Sequence, residues 1–391
     1  MDRRGFITGA GTLLLSQGLV ACQGGSGQNT LNVRLLKSSI PQQLVGKFRQ
    51  QLQQAQYSQD LDFVPETQLK DLFTYLQTWK FETGEERQRK RGLPLPFVKS
   101  EPGQADLITL GDYWLTQAIQ QQLIQPLELS QLKHWPALPS RWQDLVRRND
   151  RGLPDPQGKL WGAPYRWGST VIAYRKEKFA ENGWKVPTDW SDLWRSELKG
   201  RISLLDSPRE IIGLTLKKLG QSYNTPNLQS IAALSGELRA LHQQAKFYSS
   251  TAYLQPLLLK DTWVAVGWST DILPLMQSDQ QLAAVIPQSG TALWSDLWVR
   301  PVKATSALTQ DLAMRWIDFC WQAQTARDLS LLSGGTSPAI GTTATTDLPP
   351  ALRENPVLLP DPQVFDRSEF LSPLSDATLN QYLALWQEMR R

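Results

Sequence analysis

Strand-like and helix-like segments alternate along this chain of 391 residues, and that recurrence limits the folds open to it more than any other feature. Leu31–Leu36 and Ala105–Leu110 have the apolar patterns of strands, and a stretch with helical spacing follows each of them. The same order begins again near Trp161, with Thr170–Tyr174 and Trp263–Trp268 as further strands. Repeated strand–helix units predict an α/β fold around mostly parallel sheets.

The length indicates two lobes rather than one core. Single cores stop growing at roughly 250–300 residues, so a chain of 391 residues suits two lobes of roughly 100–200 residues each. The helices predicted along the chain include Pro41–Gln56, Leu69–Trp79, Glu210–Leu219 and Thr309–Leu332. Lys and Arg number 41 against 37 Asp and Glu, which gives no electrostatic reason to expect nucleic acid as a partner.

The N-terminus has the pattern of a bacterial export signal. Arg3 and Arg4 precede a short apolar stretch at residues 6–21, and this start resembles a twin-arginine signal. The tetrapeptide that ends at Cys22 resembles a lipobox, whose cysteine becomes the lipidated first residue of the mature chain, and Gly24–Gln28 follows as a flexible tether. An ordinary cleaved signal, or a disordered start with a chance cysteine, is the alternative. We expect a lipoprotein anchored on the periplasmic side of the membrane.

The sequence offers little to an enzyme. It has two histidines, His134 and His242, and neither has a partner at metal-ligand spacing. Phosphate-binding glycine loops and nucleophile motifs are absent from the sequence. Cys320 lies in a helical apolar pattern typical of a buried, inert thiol. The chain has two cysteines, so once Cys22 is lipidated Cys320 has no partner for a disulfide within the chain. We therefore predict no catalysis, no metal and no cofactor.

Tryptophan is unusually frequent, with 16 residues in the chain. Aromatic faces attract ammonium groups by roughly 0.5–2 kcal/mol each when desolvated. A carboxylate hydrogen-bonded to an ammonium adds roughly 1.5–3 kcal/mol. Two acids and three aromatic rings in one cleft could thus supply the ~8 kcal/mol of a micromolar complex, before ordering costs are subtracted.

Several segments, in order, resemble bacterial spermidine/putrescine-binding proteins. They are Trp161–Thr170, Pro187–Trp194, Gly200–Glu210, Leu216–Gly220, Val266–Trp268 and Leu293–Asp296. The resemblance covers about residues 31–345 and is strongest over 105–300. It implies a type II periplasmic binding-protein fold, with two α/β lobes and two crossing strands as a hinge. It also implies a monomer that binds a polyamine without catalysis and delivers it to an ABC permease.

The resemblance divides the chain into four parts. They are a signal and tether at 1–30, a first lobe at 31–167 with a return segment at 300–345, a second lobe at 168–299, and a helical tail packing across the lobes at 346–391. We expect the solute in the cleft between the lobes, where multi-lobe proteins usually bind small molecules.

The resemblance also implies a set of ligand-binding residues. They are Glu210 and Asp296 for the amino groups, Tyr113, Trp268 and Trp294 as the aromatic clamp, and Ser250 as a polar contact. Glu210 could instead serve only to stabilise a helix N-terminus, and Trp268 could be an ordinary core residue. Asp296 lies among Trp294, Leu297 and Trp298, where an acid is costly unless it is paired.

The chain departs from the family pattern at three places. Leu35–Ser39 lacks the aromatic pair expected after the first strand, Ser207 replaces a second acid, and Gly334–Gly335 stands where a tyrosine is expected. Lys37 adds positive charge near the expected site, which would favour a zwitterion or a carboxylate-bearing ligand. Two alternatives to a polyamine receptor therefore stay open: the same fold binding an amino-acid-like solute, and an envelope lipoprotein without a transport role.

Overall fold

A computed structural model describes residues 30–81, 103–304 and 306–390 of the chain. The predicted export signal, Cys22 and the charged run Glu85–Arg91 lie outside the described residues. Within them, no helix is both long enough and apolar enough to cross a bilayer.

Strands and helices alternate as the sequence predicts. The strands are β1 (Thr30–Leu36), β2 (Asp60–Glu66), β3 (Leu107–Gly111), β4 (Ile124–Gln125), β5 (Arg147–Arg148), β6 (Lys159–Leu160), β7 (Ala163–Arg175), β8 (Ile202–Leu204), β9 (Ala245–Tyr248), β10 (Val264–Trp268), β11 (Leu282–Val285), β12 (Ala292–Pro301) and β13 (Glu369–Phe370). The α-helices are α1 (Gln42–Gln54), α2 (Leu69–Phe81), α3 (Leu115–Gln120), α4 (Ser140–Val146), α5 (Lys176–Asn182), α6 (Pro208–Lys218), α7 (Leu234–Gln244), α8 (Gln255–Leu258), α9 (Ser269–Ser278), α10 (Ala307–Cys320), α11 (Ala323–Leu332), α12 (Pro350–Arg353), α13 (Pro362–Arg367) and α14 (Asp376–Met389).

The first lobe is organised around three parallel strands in the order β2–β1–β3. β1 alternates in burial, with Leu31, Val33 and Leu35 turned inward, because one face of the sheet packs on the helices that follow it. β3 is buried along its whole length, which is expected of a parallel strand covered on both faces. The largely apolar sequence of β3 is the feature from which the strand at Ala105–Leu110 was predicted.

The second lobe repeats this arrangement with the parallel strands β10, β8 and β9. Its core gathers residues of β8, α6 and α7, including Ile202, Ile211 and Leu238. The sequence analysis did not predict β8 or β9, since strands of three and four residues are too short to show a period. It also missed α7, although the buried Leu234, Leu238 and Leu241 have helical spacing.

Two long strands, β7 and β12, join the lobes. β12 pairs antiparallel with residues 163–169 of β7, whereas residues 170–174 of β7 pair with β10 of the second lobe. β12 also pairs with β3 of the first lobe. The two-lobed α/β fold with two crossing strands is therefore as predicted, while the numerical lobe boundaries remain predictions. The prediction of mostly parallel sheets is wrong, because β7 and β12 pair antiparallel with each other and with β10 and β3.

One helix prediction is wrong in detail. The stretch Thr309–Leu332 forms two helices, α10 and α11, rather than one. The break falls at Trp321, whose indole Nε1 donates to the backbone oxygen of Pro164 at 2.6 Å, and at Gln322, whose backbone is extended. A tertiary contact with β7 thus ends a helix that the apolar spacing alone would continue. Cys320, the last residue of α10, is buried, and burial raises the pKa of its thiol.

Candidate functional site

Alternate residues of β7 bring the candidate site together where the two long strands cross. Side chains two apart lie on the same face of a strand, so Arg166, Gly168 and Thr170 share one face of β7. Arg166 reaches Asp296 of β12, and Thr170 reaches Glu210 of α6. The strand therefore links the two acids that the sequence singled out.

Arg166 and Asp296 form a buried ion pair, here called the cleft pair. The Arg166 Nε and Nη2 atoms donate to Asp296 Oδ2 at 2.8 and 2.5 Å. Arg166 is 3% exposed and Asp296 is 1% exposed. The partner that a buried acid requires is thus supplied by the chain itself. The sequence analysis placed Arg166 within a motif and assigned it no role, because its partner lies 130 positions away.

Glu210 has quite different surroundings. It lies in the first turn of α6, is 6% exposed, and accepts a hydrogen bond from Thr170 Oγ1 at 3.0 Å. A second hydrogen bond comes from the Trp268 side chain. The neighbouring Arg209 turns away and donates to the backbone oxygen of Tyr223 and to the Tyr382 hydroxyl, both at 2.7 Å.

Burial raises the pKa of Glu210 to about 7, although its two hydrogen bonds and the Arg209 charge oppose that rise. Among the described residues, no cation forms an ion pair with Glu210. Its carboxyl is therefore largely uncompensated by charge and close to its titration point at neutral pH. Such a group gains from a cation that reaches it.

The two candidate tryptophans lie on either side of the crossing. Trp268 ends β10 and packs edge-on against Tyr253, with ring centroids 5.9 Å apart. Trp294 of β12 lies against the bare backbone of Gly168, where an added Cβ would be 2.2 Å from the indole Cζ2. The Trp294 Nε1 atom is buried and has no hydrogen-bond partner within the described chain.

The structure adds three residues that sequence analysis did not assign to the site. Asp112 follows β3, accepts a hydrogen bond from the Ser295 amide at 2.9 Å, and lies near Asp296. Burial and the Asp296 charge raise the pKa of Asp112 to about 7. Tyr253 donates to Asp271 Oδ2 at 2.8 Å. The position of Asp112 at the carboxyl end of a buried strand was an available signal, whereas Tyr253 and Asp271 carried none.

Tyr113 and Ser250 stand apart from the other four candidates. Tyr113 is 55% exposed and packs edge-on against Trp114, its neighbour in the turn after β3. Ser250 lies half-buried in the bend after β9. Within the described chain, no hydrogen bond links either residue to Glu210, Trp268 or the cleft pair. Their assignment to the site remains a prediction.

The histidines and acids of the described residues do not form a metal site. No group of three or more His, Cys, Asp and Glu side chains there could hold a metal ion. His134 contacts Asp318 through Nδ1 at 2.9 Å, and His242 contacts the Tyr248 hydroxyl. The arrangement can hold a small molecule through charge, hydrogen bonds and aromatic faces.

Comparison with known proteins agrees with this geometry. A profile of the family described as "Bacterial extracellular solute-binding protein" matches residues 104–366. The spermidine/putrescine-binding periplasmic protein of Salmonella typhimurium is 25% identical over 276 residues, which make up 71% of this chain and 75% of that protein. The putrescine/cadaverine-binding protein of Pseudomonas aeruginosa is 27% identical over 245 residues, 60% of this chain and 67% of that protein.

A solved structure has the same fold. The substrate-binding protein of a spermidine/putrescine ABC transporter from Streptococcus pneumoniae superposes with a TM-score of 0.75 at 19% identity, covering 93% of this chain and 98% of that one. Two α/β lobes joined by crossing strands define the fold of a two-lobed binding protein. The chain belongs to the bacterial extracellular solute-binding protein family. Members of this family serve ABC transporters and are not enzymes, so the prediction of a binding protein without catalytic activity is confirmed.

Proposed function

We propose that this protein captures a polyamine-like cation between its lobes and presents it to an ABC permease. The observation that carries the proposal is Glu210, a buried carboxyl with two neutral hydrogen-bond donors and no ion-pair partner among the described residues. A primary ammonium supplies the missing charge. The names of the relatives, which bind putrescine, spermidine or cadaverine, support the same ligand class.

The surroundings of Glu210 suit an ammonium group. Charge-assisted hydrogen bonds to a buried carboxylate contribute roughly 1.5–3 kcal/mol each. The Trp268 ring beside Glu210 offers an aromatic face, which adds roughly 0.5–2 kcal/mol when the cation is desolvated. A bound ammonium also lowers the pKa of Glu210, so the carboxyl is ionised in the complex.

Binding would couple to closure of the lobes. Glu210 and Trp268 belong to the second lobe, whereas Asp296 and Trp294 lie on the strand that pairs with β3 of the first. A solute that touches both groups favours the closed form by its extra contacts there. β7 pairs with β10 and β11 of the second lobe, β12 pairs with β3 and β4 of the first, and the two pair with each other, so they are the expected hinge.

Titration calorimetry of the soluble chain, starting after Cys22, tests the proposal with putrescine and spermidine. We expect micromolar binding by the wild type and a loss of at least tenfold in Glu210→Gln, which keeps shape but cannot ionise. Glu354→Gln removes an exposed carboxyl of the tail and should bind as the wild type does. Silence of the folded wild type toward both amines, or full affinity in Glu210→Gln, would overturn the proposal.

We also propose that the mature protein is a monomer held at the membrane by a lipid on Cys22. This part rests on the sequence, since Cys22 precedes the described residues. Expression of the full chain with Cys22→Ser should move the protein from the membrane fraction to the soluble periplasmic fraction. Labelling with a fatty-acid analogue should mark the wild type alone. Unchanged fractionation would exclude the anchor without affecting the binding site.

A further inference from the structure

In the cleft pair, Arg166 makes the contacts that the ammonium group of a bound ligand would make. Asp296 receives two donors from Arg166, and the Arg166 guanidinium carbon lies 5.8 Å from the centre of the Trp294 ring. A carboxylate and an aromatic face are the same two contacts that hold an ammonium group. At this end of the site, the chain's own cation occupies both.

Arg166 is fixed in this position by the segment after α11. Its Nη1 atom donates to the backbone oxygen of Ser333 at 3.3 Å. Gly335 lies flat against its side chain, where an added Cβ would be 2.7 Å from Arg166 Cγ. Gly335, the second residue of the Gly334–Gly335 departure that the sequence shows, therefore makes room for the arginine. All three guanidinium nitrogens, Nε, Nη1 and Nη2, therefore donate to acceptors within the chain.

We infer that Arg166 replaces one ammonium group of the solute, so that the site recognises a single ammonium, at Glu210. This inference rests on the proposed function and narrows its ligand class. A second ammonium at Asp296 would lie against a buried guanidinium of like charge, and expelling Arg166 would leave that charge unpaired. A diamine thus binds by one end, and a monoamine of equal length binds nearly as well.

The other acids near the pair do not alter this conclusion. Asp271 faces Arg166 from α9 and already accepts the Tyr253 hydroxyl. Asp112 faces Asp296 from the turn after β3 and already accepts the Ser295 amide. Burial raises the pKa of Asp271 and the Arg166 charge opposes that rise, while Asp112 lies beside Asp296, the partner of Arg166. A second ammonium at either acid would therefore approach the buried guanidinium. Glu210 differs from both, because the cation whose charge affects its pKa is Arg209, which donates its hydrogen bonds to other groups, and not Arg166.

Calorimetry with putrescine and n-butylamine tests the inference, because the two differ by one amino group on the same four-carbon chain. In the wild type we expect affinities that differ by less than tenfold. In Arg166→Met, which frees Asp296, putrescine should gain at least tenfold over butylamine, the effect of one added charge-assisted contact. The double variant Arg166→Met/Asp296→Asn should lose that gain, and it removes the unpaired acid in case the single variant folds poorly.

The outcomes separate this inference from the proposed function. A wild type that prefers putrescine by tenfold or more would overturn the inference while leaving a polyamine receptor. An Arg166→Met variant that folds and shows no new preference would also overturn it. Should the folded wild type bind neither amine, the proposed function fails and the inference fails with it.

Discussion

The two acids that β7 links, Asp296 and Glu210, differ in what holds them. Asp296 is neutralised by Arg166, and its charge is already used within the chain. Glu210 accepts two hydrogen bonds from neutral groups and is exposed by only 6%. Removing the charge of each therefore has opposite consequences for the free energy of unfolding.

Glu210→Gln should stabilise the unliganded protein at alkaline pH. The pKa of Glu210 is raised from 4.5 to about 7 in the fold, so the folded state holds its proton more tightly than the unfolded state does. The free energy of unfolding therefore falls as pH rises from about 4.5 to 7, by at most about 3 kcal/mol from this group. Glutamine has no proton to lose and escapes that fall.

The measurement is urea unfolding of both proteins between about pH 5 and 8, without ligand. The free energy of unfolding of the variant should rise relative to that of the wild type as pH rises, and the difference should stay constant above about pH 7. A constant difference across this range would mean that the Glu210 pKa is not raised by burial. Combined with weakened putrescine binding, a gain would show a carboxyl kept for function at the expense of stability.

Asp296→Asn should destabilise the fold strongly. It leaves the Arg166 guanidinium buried without its counter-ion, and breaking a buried pair in this way costs roughly 3–5 kcal/mol. Asp150→Asn is a suitable control, because the Lys159–Asp150 pair is exposed and should contribute under about 1 kcal/mol. Urea unfolding compares the two variants.

Equal, small losses of unfolding free energy in both variants would show that Arg166 finds another partner. Loss of solute binding in Asp296→Asn alone would not identify a ligand contact.

At the scale of elements, β7 carries the site and was only half predicted. The sequence predicts a strand at Thr170–Tyr174, where β-branched residues are dense, whereas the strand begins at Ala163. Its first half contains Pro164 and Gly168, which disfavour strands in isolation. Pairing with β12 overrides that preference. The same pairing brings Arg166 to Asp296, which is why the cleft pair could not be read from local sequence.

Gly168→Ala should weaken solute binding by tenfold or more, provided Trp294 is a ligand contact. The new methyl group would lie 2.2 Å from the Trp294 ring and 2.5 Å from Ser269 Oγ, so the indole must move off β7. Gly236→Ala is a matched control, because Gly236 lies on α7 with nothing within 4 Å of an added Cβ. That change should raise the stability by roughly 0.5–1 kcal/mol and leave binding unchanged.

Calorimetry with putrescine and thermal unfolding of both glycine variants provide the comparison. Weak binding in a well-folded Gly168→Ala protein supports a role for Trp294 in the site. Wild-type affinity in that variant would remove Trp294 from the ligand contacts. The sequence points to Trp294 through the family resemblance, but only the strand register places Gly168 beneath it.

At the scale of the whole molecule, the C-terminal segment at residues 362–372 touches both lobes. Arg141 of α4 donates to the backbone oxygens of Phe365 and Ser368 at 2.8 and 2.9 Å. Glu369 forms an ion pair with Lys217 of the second lobe, and β13 pairs with β12 at Ala292 and Leu293. This segment therefore lies against one of the two crossing strands. The family resemblance implies a tail over the lobes and leaves its anchoring residues unspecified.

Arg141→Ala should release this segment from the first lobe. The change removes two hydrogen bonds and the packing of the guanidinium over the Phe365 ring, 4.5 Å from its centre. Hydrogen exchange of the amides in residues 362–370 should become at least tenfold faster, since local opening then breaks fewer contacts. Arg239→Ala, which removes an exposed ion pair with Glu388 of α14, is the control and should leave the exchange of this segment unchanged.

If the segment restrains the hinge, the unliganded Arg141→Ala protein should also have a larger radius of gyration in small-angle scattering, and putrescine should return that radius to the wild-type value. Faster exchange with an unchanged radius would confine Arg141 to local anchoring, and unchanged exchange would mean that Glu369 and β13 hold the segment without it.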